Sequence, residues 1–263
     1  MEQLKYLLSV NSDYIVFGLV VVIFSVEQIF AQSKFNHRPK HLFNNALFKV
    51  LFIAINLVYA SGFIFCIRWL NSHEIGLFYL VEVPFWTRLI LGVALFDLVF
   101  YWFHRMSHKV PFIWRFHRVH HSDSSMDVST AFREHPIEAF LWFGVSRILA
   151  AAIFGLDIIN LGFMGLVSTP IFFLVHSNIK YPSWLDHILG LVILTPNQHR
   201  VHHEIDKSYT DSNYSDVCIF WDRLFGTYRY KPVEEITFGL KEFDNPEKES
   251  FWYLMKSPFI NLK

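Results

Sequence analysis

WTRLILGVALFDLVFYWFHRMSH, residues 86–108, runs from an apolar stretch directly into the pair His104-x-x-x-His108. A bilayer takes roughly 20 apolar residues to cross. Trp86–Phe103 meets that need with only Arg88 and Asp97 as charges. The stretch therefore reads as a membrane helix that delivers imidazoles at its end. His117-x-x-His120-His121 follows shortly after, and His199-x-x-His202-His203 repeats its pattern. An α-helix turns about 100° per residue, so i, i+3 and i+4 lie on one face. Each motif is expected to present two or three imidazoles to a common point. Imidazole suits Fe, Zn, Cu and Ni. Eight such ligands exceed the shell of one ion, so two metals is the natural count. The pentapeptide His-Arg-Val-His-His occurs at 117–121 and again at 199–203, too short a match to argue an architectural repeat.

Other apolar runs lie on either side of residues 86–108. Tyr14–Ala31 contains Glu27, and Leu47–Leu70 follows it. Ala139–Leu156 and Ile158–Val175 are separated by little more than Gly155 to Asp157 and predict a tight helical hairpin. Ile188–Leu194 is too short to cross. The expected fold is all-α, an integral-membrane helical bundle with a cytoplasmic histidine-rich helical cap. Its expected parts are a transmembrane hairpin over 1–85, a catalytic domain over 86–230 and a tail over 231–263. Lys34, Arg38 and Lys40 follow the first run, whereas 71–85 holds no such charges before Arg88. By the preference of basic loops for the cytoplasm, all three motifs fall on the cytoplasmic side.

Composition agrees. The chain is 53% hydrophobic and only 17% charged, against about a quarter charged in soluble domains. Aromatic residues make up 18%, which suits lipid-facing and interfacial surface. Net charge is zero, so nothing indicates a nucleic-acid partner. Cys66 and Cys218 are too few for a disulfide framework or a thiolate metal site. The first apolar run lacks a basic leader and a cleavage site, so no cleavable signal is expected.

A histidine outside the motifs is more often a satisfied polar side chain than a ligand. His37, His41, His73 and His187 are read that way, with His37 and His41 facing lipid headgroups. His135, in Arg133-Glu-His-Pro-Ile-Glu138, and His176, at the end of the hairpin, are further candidate ligands or supporting groups. Glu134, Glu138 and Asp222 could each orient an imidazole through its far nitrogen. Each alone reads more readily as a solvated or salt-bridged surface acid.

His104-Arg-Met-Ser-His108, His117-Arg-Val-His-His121 and Thr195-Pro-Asn-Gln-His199-Arg-Val-His-His203 together resemble the fatty acid hydroxylase superfamily, which includes sterol desaturases, sterol C4-methyl oxidases and alkylglycerol monooxygenase. Thr210-Asp-Ser-Asn-Tyr214 and Trp221-Asp-Arg-Leu-Phe-Gly-Thr-Tyr228 resemble it too, so the likeness covers roughly 86–230. It implies a non-haem centre of two iron ions. It also implies O2 as co-substrate and a lipid whose unactivated C–H bond becomes an alcohol or an alkene. The catalytic and metal-binding residues it implies are His104, His108, His117, His120, His121, His199, His202 and His203. No His-Pro-Gly-Gly of a fused haem domain and no Gly-x-Gly-x-x-Gly occurs, so electrons are expected from a separate ferredoxin- or cytochrome-type protein. A bacterial inner membrane is the expected compartment. Two other classes compete. A zinc-dependent membrane hydrolase lacks support from His-Glu-x-x-His. A metal-ion transporter would carry its ligands near the bilayer midplane, not at span ends.

Overall fold

The computed structural model describes residues 12–34 and 38–261 and is mostly helical. Among the described residues there is no strand, only the isolated bridges Ala31–Ile179 and Glu204–Phe238. Helix α1 covers Ser12–Ile29, α2 Arg38–Ser72, α3 Phe85–Lys109 and α4 Pro111–His121. Helix α5 covers Pro136–Phe154, α6 Ile158–His176, α7 Ser183–Leu189 and α8 Pro196–His202. Helices α2, α3, α5 and α6 are long and apolar enough to cross a membrane, while the apolar part of α1, Val16–Ile29, is shorter. Almost none of the apolar window of α2 is fully buried, and Leu57 and Val58 are 77% and 81% exposed. Such a surface calls for lipid rather than water.

Helix α3 is the axis of the fold. Leu89, Val93, Phe96, Phe100 and His104 are all buried and follow one another at steps of three or four. That is the period of a single helix face, so the stripe that packs the core leads in register to the first ligand. Proline cannot continue a helix but is preorganised to start one. Pro111 therefore ends the run of α3 and opens α4, which folds back against α3.

The turn between α5 and α6 is as tight as the sequence predicts. Gly155 sits there at φ 75°, and Asp157 caps α6 by accepting the amides of Ile159 and Asn160 at 3.0 and 2.8 Å. Gly76, at φ 121°, presses on it: a Cβ on Gly76 would lie 2.0 Å from the Gly155 nitrogen. The two helices do not form a self-packed hairpin, however; α6 packs mainly on α3, and α5 packs on both α2 and α3. Glu27, the acid inside the first apolar run, is fully buried and accepts the amides of Val128 and Asn178 at 3.1 and 3.0 Å. It ties α1 to the histidine-bearing layer. The C-terminal stretch is tied in as well, since Phe243, Phe251 and Leu254 pack with Phe48 of α2 and Val119 of α4.

Candidate metal centre

All eight motif histidines and His176 meet in two buried groups. The first holds His104, His108, His117, His121 and His202, and the second His120, His176, His199 and His203. Within each group one ligand atom per residue lies within 4.8 Å of the others. The motifs do not each converge on one point, as the shared helix face suggested. In α4, His117 and His121 go to the first group and His120 to the second; at α8, His199 and His203 go to the second and His202 to the first. The geometry explains the exchange. Positions i and i+4 differ by about 40° around the helix, whereas i+3 lies about 60° to the other side of i. Each i, i+4 pair serves one centre and the i+3 ring turns to the other. Helix α3 adds the pair His104 and His108 to the first group, and α6 adds His176 to the second.

The ring nitrogens test whether metal ions fit. His104 Nδ1 donates to the Tyr214 carbonyl at 2.7 Å, His202 Nδ1 to the Ser212 carbonyl at 2.7 Å, and His176 Nδ1 to the Phe172 carbonyl at 2.6 Å. A carbonyl only accepts, so these Nδ1 atoms carry the proton and each Nε2 presents a lone pair. His104 Nε2 and His202 Nε2 find no protein partner. His176 Nε2 faces His120 Nε2 at 3.1 Å and His199 Nε2 at 2.9 Å. Similar approaches join His121 with His117 at 3.0 Å and His203 with His199 at 3.2 Å. Inward lone pairs this crowded and unpartnered are what a pair of cations would satisfy, and nine neutral nitrogen donors suit a borderline metal such as iron. Burial pushes the pKa of His117 and of His202 from 6.5 down to about 3. Burial first, then neighbouring rings, holds His120, His121, His199 and His203 well below the ordinary value. The donors are thus neutral at physiological pH.

Supporting groups surround the first centre. Glu138 accepts from His117 Nδ1, and Asp211 lies 3.3 Å from His108 Nδ1. Asp222 touches no imidazole. It accepts the amides of Tyr214 and Ser215 at 2.8 and 2.9 Å and so holds the turn whose carbonyl orients His104. Glu134 lines a cavity beside the rings. None of Glu134, Glu138 and Asp222 is the solvated surface group that each resembles in isolation.

His135 joins neither group. Its Nδ1 accepts the Ile137 amide at 3.2 Å, capping α5, and its ring rests on Phe116 and Phe259. His41 is buried rather than set among headgroups, with Nε2 at 2.8 and 2.9 Å from the two oxygens of Asp123. His37 lies outside the described residues. His73 and His187 are exposed and bond to the carbonyls of Trp69 and Ser183.

Two residues that carry the site gave no sequence signal beyond their type. Asp97 accepts the amides of Asp216, Val217 and Cys218 at 3.0, 3.0 and 2.7 Å, fixing the following loop to α3. Trp142 packs on the rings of His104 and His117, with centroids at 4.8 and 5.2 Å. It belongs to a π-helical segment, Phe140–Val145, inside α5, a local widening common at functional sites. A narrow cavity lies beside these rings. Its walls include Phe100, Trp142, Phe172, Val175 and Leu194 together with histidines of both groups.

The comparisons with known proteins agree with this geometry. Over 182 residues the chain is 32% identical to alkylglycerol monooxygenase of Homo sapiens, covering 64% of this chain and 36% of that protein. It is 28% identical over 149 residues to an ornithine lipid hydroxylase of Rhizobium tropici, covering 57% and 44%. It is 30% identical over 157 residues to cholesterol 25-hydroxylase of Homo sapiens, covering 56% and 53%. The aligned part thus spans about a third of the alkylglycerol monooxygenases and about half of the other two. No solved structure matches. The model of the fatty acid hydroxylase family matches residues 89–227, more than half of the chain and all of the histidine motifs; the chain belongs to the fatty acid hydroxylase family.

Proposed function

We propose that this chain is a membrane-embedded lipid hydroxylase with a centre of two iron ions, the catalytic unit lying within 86–230. The observation that carries the reading is the cavity that touches both histidine groups and is otherwise walled largely by apolar side chains of the spans. An unactivated C–H bond offers no acidic proton, so acid–base groups alone cannot open it. Bound iron would supply the redox chemistry, with O2 and two electrons and two protons giving an alcohol and water.

The chain's own residues would do the rest. The five- and four-membered histidine groups would hold one ion each. The Tyr214 and Ser212 carbonyls and Glu138 would keep the first group's rings aimed inward. Phe100 and Trp142 would exclude water and press the lipid chain toward the centre. Basic residues at 34–40 and 105–118 argue for the cytoplasmic face as the side of the centre. A separate ferredoxin- or cytochrome-type protein would deliver the electrons there. By analogy with the relatives' names, ether-linked glycerolipids, ornithine lipids and sterols are the first substrates to try, with desaturation as the alternative outcome at the same carbon.

Metal analysis and Mössbauer spectroscopy of protein purified from iron-57-grown cells test this, followed by turnover under 18O2. Two coupled irons per chain and one labelled oxygen in the lipid product are expected. Zinc alone, with no uptake of iron on anaerobic reconstitution, would remove the oxygenase reading in favour of a hydrolase.

A further inference from the structure

The apolar run Ile188–Leu194 is too short to cross a bilayer, yet much of it faces away from the protein. Trp184 and Ile188 of α7, with Leu191 and Val192 of the turn that follows, are 59–65% exposed. Trp184, Ile188 and Leu191 recur at steps of four and three, which is one helical face. The polar groups point the other way. Asp186 of α7 is buried and accepts from the hydroxyl of Thr195, the N-cap of α8. The Gly190 carbonyl accepts from Gln198 Nε2 at 3.0 Å and from Arg223 Nη2 at 2.8 Å. A Cβ on Gly190 would lie 2.3 Å from Gln198 Nε2, so the absence of a side chain lets the turn sit this close to α8. The segment is held by its polar side and presents its apolar side, the reverse of a helix on a water-soluble surface.

The height of this patch along the spans is fixed at two points. Leu194 packs with Val175, in the last turn of α6. The bond from Arg223 draws the short helix Phe220–Leu224 alongside, and its Phe220 and Leu224 are exposed as well. Phe225, just after that helix, packs on Trp102 near the end of α3, with centroids at 5.2 Å, and Trp102 is itself exposed. The patch is therefore continuous with the apolar surface of two spans, at the end of each that carries histidine ligands. At the end of a span the medium passes from acyl chain to head group, the level where Trp is favoured. Soluble surfaces rarely gather so many large apolar side chains together.

We infer that α7 and its turn, together with Phe220 and Leu224, form a wedge lying in the plane of the membrane, seated in the leaflet on the histidine side. The partner of the patch is the hydrocarbon just beneath the head groups. Segments of this kind sink about 5–10 Å into that boundary. Leu194, at the inner end of the same stretch, lines the cavity beside the histidines. One short stretch thus touches acyl chains on its outer side and the cavity on its inner side, which sets the cavity wall against the leaflet rather than against water. The wedge depends on neither the iron nor the oxidation.

The test uses the full chain in phosphatidylcholine nanodiscs that contain a photoreactive phosphatidylcholine. Its diazirine sits either near the head group or at the end of the acyl chain, and labelled residues are mapped by mass spectrometry after irradiation. Two stretches serve as references: Leu57 and Val58, exposed midway along α2, and the exposed polar turn 244–247. The shallow probe is expected to label 184–192 and 220–224 at least about ten-fold above 244–247, and more than the terminal probe does, as a seat in the boundary requires. The terminal probe should favour Leu57 and Val58. Labelling of 184–192 by the shallow probe no higher than that of 244–247 would overturn the inference. The patch would then face water, or a second copy of the chain if native mass spectrometry shows a dimer. Stronger labelling of 184–192 by the terminal probe would overturn it as well, since the stretch would then plunge inward rather than lie in the boundary.

Discussion

The two histidine groups share a wall but are held differently. In the five-membered group His104, His117 and His202 are braced from behind by the Tyr214 carbonyl, Glu138 and the Ser212 carbonyl, and Asp211 stands 3.3 Å behind His108. In the four-membered group His176 has such a brace, whereas among the described residues the Nδ1 atoms of His120, His199 and His203 have none, as is also true of His121 in the larger group. The groups also face different surroundings. Both groups line the apolar cavity, the larger through His104 and His117 and the smaller through His120, His176 and His199, but His108 of the larger group also lines a polar cleft with Asp206, Lys207, Lys241 and Glu242. The larger, better braced group thus reaches both the cleft and the apolar cavity, and the smaller, less braced group lines the apolar cavity. A ring without a fixed partner can turn; a braced ring keeps its aim.

The sharpest way to break this comparison is to remove one imidazole from the smaller group. His199→Ala leaves three ligands and is expected to lower metal content by about one ion per chain. Lipid turnover should fall at least about a hundred-fold, the upper end of what even outer partners cost. Glu138→Gln should weaken metal binding at the larger group by about 10- to 100-fold and leave the other ion in place, as metal titration would report. His108→Ala should be milder, since four imidazoles remain. Both ions are expected to stay, with turnover reduced by no more than about ten-fold. Loss of an ion from His108→Ala as complete as from His199→Ala would show that the groups do not differ in redundancy.

Acid should not distinguish the groups. Their helix-borne rings outside the spans are held neutral by burial, those of His117 and His202 with pKa of about 3 against 6.5 when unfolded. Above pH 6.5 neither state takes up the proton. Below it the unfolded chain does and the folded chain does not, so metal-free protein should lose stability as pH falls. The slope is about 1.4 kcal/mol per pH unit for each such ring until its folded pKa is reached. Melting temperatures of the metal-free protein between pH 7 and 5 check this; a flat profile would mean the rings are not buried as neutral bases. The smallest effect belongs to the rim of the cleft. Lys109→Ala removes a half-exposed contact to Asp211 at 2.6 Å and should cost less than about 1 kcal/mol in denaturant melts.

What could be read from the chain follows from what sets each feature. His104, His117 and His199 were legible because imidazole is scarce, chemically distinctive and spaced at the helix period. The long apolar helices were legible because length and hydropathy alone define them. The division of His117, His120 and His121 between two centres was not, since helix geometry sets the i+3 ring apart from the i, i+4 pair, but only the facing of α4 and α8 puts a second centre where that ring points. The His41–Asp123 pair joins residues far apart along the chain, and nothing near His41 announces its partner. Glu138 read as a surface acid because only the start of α5 at Pro136 brings it beneath His117. Trp142 was hidden by composition: where aromatics are common, one more carries little information.

The π-helical segment Phe140–Val145 has a consequence for inheritance. A wide turn of this kind holds one residue more than an ordinary one, so deleting one codon there draws the turn shut while the helix on either side keeps its facing. Trp142 would then lose its place against the rings of His104 and His117, while the span and the histidines survived the lesion. A descendant carrying that deletion would inherit the same imidazoles beside a differently shaped cavity, so the lining in this lineage can shift by a change of length as readily as by a change of residue.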